Sequence, residues 1–225
     1  MKNITYINNK FVKNSNAKIS VEDRGFLFAD SVYELISVFN KKIVDIDQHL
    51  NRLKSSLNKV KIKYDFNKKK IRKIINKLIK LNNVINGYIY IQITRGVAER
   101  KHEFPKQYKP TTIIFTKNLN VDKEIYKKGV KIITIPDLRW LRRDIKTTSL
   151  LPNVLSKQLA VEKNAFESWL IDNGNITEGS TSNAWIIKSS NTIITHPANT
   201  KILKGVTRDT IIKILKKNNF NVIEN

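Results

Sequence analysis

The sequence contains no cysteine and few histidines. The absence of cysteine excludes disulfides, thiolate metal sites and cysteine nucleophiles. The three histidines, His49, His102 and His196, are spread widely along the chain, which argues against a zinc centre, and we predict no metal site. Any chemistry must therefore come from Lys, Arg, Tyr, Asp, Glu, Ser or Thr side chains.

The sequence also lacks a long apolar run. No stretch approaches the roughly 18 uninterrupted apolar residues of a membrane span, and residues 1–6 lack the apolar core of a signal peptide. We therefore expect no membrane association and a location in the cytoplasm. With 225 residues, of which 40% are hydrophobic, the chain is long enough to bury a core in one large domain or two small ones.

Acidic residues are scarce: 19 Asp and Glu face 42 Lys and Arg, which gives a formal net charge of +23. Clustered basic residues often bind nucleic acids. Here, however, the lysines are scattered along solvent faces of predicted helices, as in residues 67–73, and no aromatic stacking motif accompanies them. We predict no specific nucleic-acid partner. A basic, non-catalytic binding protein remains the alternative from another class.

The first half of the chain predicts a small α+β unit. A hairpin is expected over residues 5–12 and strands over residues 32–39 and 88–94, where β-branched and aromatic residues alternate with polar ones. Apolar residues at spacings of three and four predict a helix that follows Asp47 as its N-cap, and a second helix over residues 71–81. Two helices packed on one sheet should result.

The polar segment after residue 118 predicts a domain boundary, with a small α+β domain of residues 1–118 and a larger, β-rich domain of residues 119–225. The strand-like residues 220–225 end the chain, and we expect the larger domain to be incomplete. Strands are predicted at residues 112–116, 130–135, 168–171, 184–187 and 192–195. Helices are predicted at residues 152–163 and 207–216.

Two segments indicate the chemistry. Residues 142–153 place Lys146 near a strand-to-helix junction, and residues 176–183 place Glu178 before a hydroxyl-rich loop. A lysine can form a Schiff base with the aldehyde of pyridoxal phosphate, and a carboxylate can keep the pyridine nitrogen protonated so that the ring accepts electrons. Taken alone, a lysine is more often a surface charge, and a glutamate before Gly-Ser could equally be a helix-capping or loop carboxylate.

Four further motifs accompany these two segments: residues 21–30 (VEDRGFLFAD), 49–53 (HLNRL), 94–96 (TRG) and 205–208 (GVTR). With them the chain resembles the fold-type IV pyridoxal phosphate aminotransferases, most closely those that act on D-amino acids. The resemblance implies the two-domain α/β (α+β) class IV aminotransferase fold and pyridoxal 5′-phosphate as cofactor. It also implies transfer of an amino group from a D-amino acid such as D-alanine to a 2-oxo acid such as 2-oxoglutarate.

The resemblance implies roles for five cofactor residues. Lys146 would form the Schiff base and move the proton at the substrate Cα. Glu178 would pair with the pyridine nitrogen. Arg52 and the backbone of Val206 and Thr207 would hold the cofactor phosphate. Thr207 has a second, compatible interpretation as the N-cap of its helix.

The same resemblance implies a carboxylate trap for the substrate, made by Arg100 and His102 together with Tyr33. In the family the loop with the Arg-x-His pair reaches into a neighbouring subunit, which implies a homodimer. Branched-chain aminotransferases and 4-amino-4-deoxychorismate lyases share the fold and the lysine, and they remain the alternatives within it. The Arg-x-His pair favours the D-amino acid enzymes.

The chain departs from the family pattern in three respects. Ala29 and Ser31 stand where the family has glycines, so the pocket near Tyr33 is expected to be narrower. Glu99 lies next to Arg100 and is expected to compete for that cation. The family also continues beyond residue 225 with a further strand and helix, so an inactive fragment is a third alternative.

Overall fold

The computed structural model describes residues 3–120 and 124–225. They form two compact units. Unit 1 contains the described residues before 121 together with Lys146–Ser149, and unit 2 contains residues 124–145 and Leu150–Asn225. The division at residues 118 and 119 stays a prediction.

Unit 1 combines helices with one antiparallel sheet. A 3₁₀ turn spans Asn14–Asn16. The other elements are β1 (Ile4–Ile7), β2 (Lys10–Lys13), α1 (Arg24–Phe28), β3 (Ser31–Phe39), β4 (Lys42–Ile43), α2 (Ile46–Lys59), α3 (Lys68–Leu81), β5 (Gly87–Thr94) and β6 (Thr111–Asn118). In the described part of this unit the sheet has six strands in the order β2-β1-β6-β5-β3-β4. The predicted α+β class is confirmed.

The core of unit 1 lies between this sheet and the helices α2 and α3. On β5 the alternate residues Ile89, Ile91 and Ile93 are fully buried, as their spacing predicts for a strand with one apolar face. Helix α2 packs on β3, and α3 packs on β1 and β6. The predicted helices and strands of this half are therefore confirmed.

The start of α2 differs from the prediction. Asp45 is the N-cap residue, in the left-handed region at φ 49°, and its side chain makes no capping hydrogen bond. Asp47 lies within the first turn, where its carboxylate accepts a hydrogen bond from Arg72 of α3. Asp47 as N-cap is wrong because the helix begins at Ile46, two residues earlier than an N-cap at Asp47 would place its start.

Unit 2 contains two small sheets and three helices in its described residues. They are α4 (Ile125–Lys128), β7 (Ile132–Pro136), α5 (Leu151–Glu162), β8 (Glu167–Asp172), β9 (Asn175–Gly179), β10 (Ile186–Ser189), β11 (Thr192–Thr195), α6 (Val206–Lys217) and β12 (Asn221–Glu224). One sheet has the order β7-β8-β9 and the other β10-β11-β12. No helix in the described parts of the chain is both long enough and apolar enough to span a bilayer.

The sequence prediction missed strand β9 and placed only a hydroxyl-rich loop in this region. Asn173 and Gly174 both have positive φ, at 50° and 78°, and Asp172 pairs with Asn175 across them. A two-residue Asn-Gly turn of this kind joins antiparallel strands, because its twist matches theirs. The residues after this turn are mostly polar, so no apolar alternation marked the second strand of the hairpin.

Helix α1 is short and defined at both ends. The Asp23 carboxylate caps its start by accepting a hydrogen bond from the Gly25 backbone N–H at 2.8 Å. The helix ends at Ala29, which adopts the left-handed conformation at φ 52° and ψ 26°. Left-handed backbone places the Cβ of an L-residue too close to the following carbonyl, so glycine suits this position better.

We expect Ala29→Gly to stabilise the protein. Relief of the left-handed strain should contribute up to about 1 kcal/mol. For a chain of this length, that gain corresponds to a rise in Tm of about 2–4 °C. Thermal unfolding followed by circular dichroism measures the shift. Ala17→Gly is the matched control, because Ala17 has φ −76° and glycine relieves no strain there. An equal or larger Tm rise for the control would contradict the argument.

Candidate active site

The segment around Lys146 is held by backbone pairing with β3. The Tyr33 N–H donates to the Lys146 carbonyl at 3.0 Å, and the Thr148 N–H donates to the Ser31 carbonyl at 3.3 Å. Strand β4 pairs with the last two residues of β3. Residues Lys146–Ser149 pair with the first half of β3. The register of these bonds fixes where the Lys146 side chain begins.

The Lys146 amine lies beside the Tyr33 phenol. Its Nζ is 3.3 Å from the Tyr33 Oη and 4.3 Å from the centre of the ring. The Tyr33 ring stacks on Tyr90 at 5.6 Å between centroids. Burial, with a smaller effect of Tyr33, raises the pKa of Tyr90 to about 12, and its hydroxyl donates to Gln92 at 2.9 Å. The structure thus brings two predicted site residues, Lys146 and Tyr33, together on a rigid aromatic support.

Glu34 is the next residue on β3 and lies on the opposite, buried face. Its carboxylate is fully buried and accepts hydrogen bonds from Arg52 Nε at 2.7 Å and Arg52 Nη2 at 2.8 Å. The His49 Nδ1 lies 2.7 Å from the second oxygen. Burial by itself raises the pKa of Glu34, but the hydrogen bonds from Arg52 and His49 and the charges of Arg52 and Lys146 outweigh it and lower the pKa.

The Glu34 cluster shows that Arg52 does not face the solvent. Its side chain is 14% exposed, and Glu34 holds its guanidinium with two hydrogen bonds. Sequence reasoning selected Arg52 but missed Glu34 as its partner. The available signal was a charged residue at an alternate position between Val32 and Ile36 on the apolar face of a predicted strand.

Arg100 and His102 meet on one aromatic ring. The Arg100 guanidinium carbon lies 5.3 Å from the centre of the Phe28 ring, and the His102 ring lies 5.3 Å from it. Both Arg100 and His102 are exposed. Glu99, which the sequence suggested as a competitor for Arg100, forms its described ion pair with Lys101 at 2.9 Å.

In unit 2, Glu178 lies near the end of β9 and is buried. One oxygen accepts a hydrogen bond from Arg139 Nη1, and the other accepts one from Asn183 Nδ2 at 2.9 Å. The Leu203 N–H is 3.2 Å from both oxygens. Burial raises the pKa of Glu178, and the positive charge of Arg139 opposes that rise. Every described donor therefore stabilises the ionised carboxylate.

Arg139 was not identified from the sequence, although it connects Glu178 to a second carboxylate. Its Nη2 and Nε donate to Asp137 at 2.7 and 2.9 Å, and the Thr177 hydroxyl donates to Asp137 at 2.7 Å. Burial raises the pKa of Asp137, but the hydrogen bonds from Arg139 and Thr177 outweigh it and lower the pKa. An ionised Asp137 orients the guanidinium that meets Glu178.

Helix α6 begins without a side-chain cap. Gly205 is its N-cap residue and supplies no side chain, so the N-cap interpretation of Thr207 is wrong. A Cβ at residue 205 would lie 2.1 Å from the Asn183 Oδ1, so any other residue there would displace the Asn183 side chain. Thr207 is exposed and Val206 is buried in the first turn. The first N–H groups of a helix lack intrahelical partners and attract anions such as phosphate.

Comparison with known proteins gives a consistent family. The family model described as "Amino-transferase class IV" matches residues 31–225. A D-alanine aminotransferase from Staphylococcus aureus (strain MSSA476) is 41% identical over 215 residues, which cover 95% of this chain and 76% of that protein.

Solved structures show the same fold. The branched-chain amino acid aminotransferase of Escherichia coli has a TM-score of 0.90 at 21% identity, and the match covers 100% of this chain and 78% of that one. The T.th. branched-chain amino acid aminotransferase with pyridoxamine 5′-phosphate has a TM-score of 0.87 at 21% identity, with coverage of 99% and 76%. The predicted fold class is therefore confirmed.

We expect Glu34→Gln to destabilise unit 1 in a pH-dependent way. The lowered pKa of Glu34 means that folding favours its ionised form, so its contribution is present above the unfolded value of 4.5 and lost as the pH falls below it. Loss of the charge-assisted hydrogen bonds should cost about 1.5–3 kcal/mol at neutral pH. Urea unfolding of wild type and variant at pH 7 and pH 4 measures the difference, which should shrink at pH 4.

Asp47→Asn is the matched control for this measurement. Asp47 also pairs with an arginine, Arg72, but at the solvent-exposed surface of the helices. Solvent screens such a pair, so its loss should leave the free energy of unfolding nearly unchanged. A loss for Glu34→Gln that is equally large at both pH values would show that shape, and not charge, explains it.

Proposed function

Because the chain belongs to the class IV aminotransferase family, we propose that it transfers an amino group from a D-amino acid such as D-alanine to a 2-oxo acid such as 2-oxoglutarate. The protein is a pyridoxal phosphate-dependent aminotransferase. Its preference for D-amino acids is supported by the relatives named D-alanine aminotransferases. The observation that carries it is the convergence of Arg100 and His102 on Phe28.

The residues present fit this cofactor. Bound pyridoxal phosphate supplies an aldehyde that takes up the amino group and a ring that accepts electrons. In unit 1, the Lys146 amine beside the Tyr33 hydroxyl suits covalent attachment and proton transfer at the substrate Cα. The negative charge of Glu34 lies close enough to interact with Lys146. We assign Lys146 as the catalytic residue and Arg52, fixed by Glu34, as a phosphate ligand.

Unit 2 supplies groups of complementary chemistry. The buried Glu178 carboxylate has two oxygens with about four acceptor positions, and its described donors still allow it to accept one from a protonated pyridine nitrogen. The charge and hydrogen bond of Arg139 oppose the rise in the pKa of Glu178 that burial causes. The N–H groups of Val206 and Thr207 at the start of α6 suit a phosphate. We assign Glu178 to the ring nitrogen and these two residues to the phosphate.

Arg100, His102 and Tyr33 are assigned to the substrate carboxylate. A guanidinium, an imidazole and a phenol are donors that can hold a carboxylate and thereby fix which face of the Cα meets the lysine. Residues 100–103 are called the Arg100 loop. We propose that this loop serves the site of a second copy of the chain in a homodimer. A location in the cytoplasm stays a prediction, which fractionation of the source cells would test.

The proposed function predicts a stereospecific spectral change. Addition of D-alanine to the cofactor-loaded protein should convert the visible absorbance of bound pyridoxal phosphate to that of its amine form, and L-leucine should do so far more slowly. Stopped-flow absorbance measures both rates. Faster conversion with L-leucine would favour the branched-chain alternative. Cofactor binding without conversion by either amino acid would favour an inactive fragment.

Two variants test the assigned roles in that experiment, and a third serves as the control. Lys146→Ala should abolish turnover, and Glu178→Gln should bind the cofactor but turn over far more slowly, because an uncharged ring nitrogen is a poorer electron sink. Lys73→Ala, which changes an exposed lysine on α3, should behave like the wild type. Wild-type turnover in either of the first two variants would remove the role assigned to that residue.

The homodimer predicts complementation between an inactive chain and a chain with weakened substrate binding. Lys146→Ala chains lack the amine, and Arg100→Met chains lack a carboxylate donor. If the two residues act on one substrate from different subunits, mixing the two variants should restore part of the activity, because a heterodimer can assemble one intact site. Activity of purified, mass-verified heterodimers is the measurement. No recovery would show that Arg100 does not serve the neighbouring subunit.

A further inference from the structure

Arg24 is a buried arginine whose guanidinium faces the backbone of the Arg100 loop. The side chain is 4% exposed. Its Nη1 donates to the Lys101 carbonyl at 2.5 Å and to the Glu103 carbonyl at 3.4 Å, and its Nη2 donates to the His102 carbonyl at 3.3 Å. Three consecutive carbonyls of one exposed loop thus point at a single cation.

Arg24 is itself held rigidly. Its Nε donates to the Asp30 carboxylate at 2.8 Å, and the same carboxylate accepts from Arg95 at 2.7 and 3.0 Å. Arg95 in turn donates to the carbonyls of Val60 and Lys61 at 2.8 and 2.9 Å, next to the end of α2. Both arginines therefore bind the Asp30 carboxylate. Arg95 also binds the backbone next to the end of α2, whereas Arg24 binds the backbone of the Arg100 loop.

Phe28 lies one helical turn after Arg24 on the same face of α1. Its ring centre is 4.8 Å from the guanidinium carbon of Arg24 and 5.3 Å from that of Arg100. The His102 ring is also 5.3 Å from it. Helix α1 therefore presents two groups to the loop: a cation that binds its backbone and a ring that contacts two of its side chains.

We propose that Arg24 is a positioning residue for the substrate carboxylate, acting through Arg100 and His102, with Phe28 as the surface on which these two side chains rest. The inference rests on the proposed function of Arg100 and His102. An exposed loop with two long side chains has many conformations, and fixing three successive carbonyls removes most of them. A donor pair held in one place binds a carboxylate without the entropic cost of ordering itself.

The test compares Arg24→Lys with the wild type in the loaded enzyme. Lysine keeps the charge beside Asp30, but its compact ammonium lacks the planar fork that reaches three carbonyls. We expect the KM for D-alanine to rise about 10- to 100-fold. The value of kcat should change little, and the visible absorbance of the bound cofactor should remain. The matched control is Arg72→Lys, an arginine on α3 that pairs with Asp47, which should leave both constants unchanged.

A double variant separates positioning from a general structural role. If Arg24 acts through Arg100, adding Arg24→Lys to Arg100→Met should raise the KM much less than it does in the wild type. Equal rises in both backgrounds, or a fall in kcat alone, would overturn the proposal. Should Arg24→Lys fail to fold, Phe28→Leu removes the supporting ring and leaves Arg24 in place. It should raise the KM in the same way, and an unchanged KM would overturn the proposal.

The outcomes also distinguish this inference from the proposed function. An unchanged KM for D-alanine in Arg100→Met would refute the assignment of Arg100 itself. A raised KM in Arg100→Met together with a normal KM in Arg24→Lys would refute only the positioning role of Arg24.

Discussion

The backbone pairing between Lys146–Ser149 and the first half of β3 is the constraint on which the arrangement of unit 1 depends. It brings Lys146 to Tyr33 across a separation of 113 residues. Successive residues of a strand point to opposite faces, so the pairing places Tyr33 beside the amine and leaves Glu34 in the core. One register thus sets the surroundings of the lysine on both sides, the phenol by contact and the carboxylate by charge.

In each unit, hydrogen-bond donors surround a buried carboxylate. Glu34 is surrounded by Arg52 and His49, and Glu178 by Arg139, Asn183 and the Leu203 backbone. A buried carboxylate without such donors would lose its charge. The donors outweigh burial at Glu34, where the pKa is lowered, and only oppose it at Glu178, where the pKa is raised.

Periodicity predicted the parts of the fold in which the signal is local. The spacing of apolar residues located α2, α3 and α6, and alternation located β5. It failed where a turn or a cap decides the structure: β9 follows an Asn-Gly turn with polar residues, and α1 is only five residues long. The start of α2 was misplaced for the same reason.

The candidate site divides along the same line. Lys146, Glu178, Arg100 and His102 could be selected from short motifs and their family resemblance. Their partners could not, since Arg139 is 39 residues from Glu178 and Arg24 is 77 residues from Lys101. An arginine bound to distant carbonyls or carboxylates leaves no periodic trace in the sequence, so only the folded chain reveals what it holds.

The close approach of Gly205 to Asn183 has a genetic consequence. A side chain at residue 205 would require the Asn183 side chain to move away or residue 183 to become shorter. Shortening residue 183 would in turn remove a donor from Glu178 and another from the Leu203 carbonyl. A substitution at either position therefore affects the other, and the two are expected to vary as an epistatic pair, because the start of α6 limits the choice of residue beside Glu178.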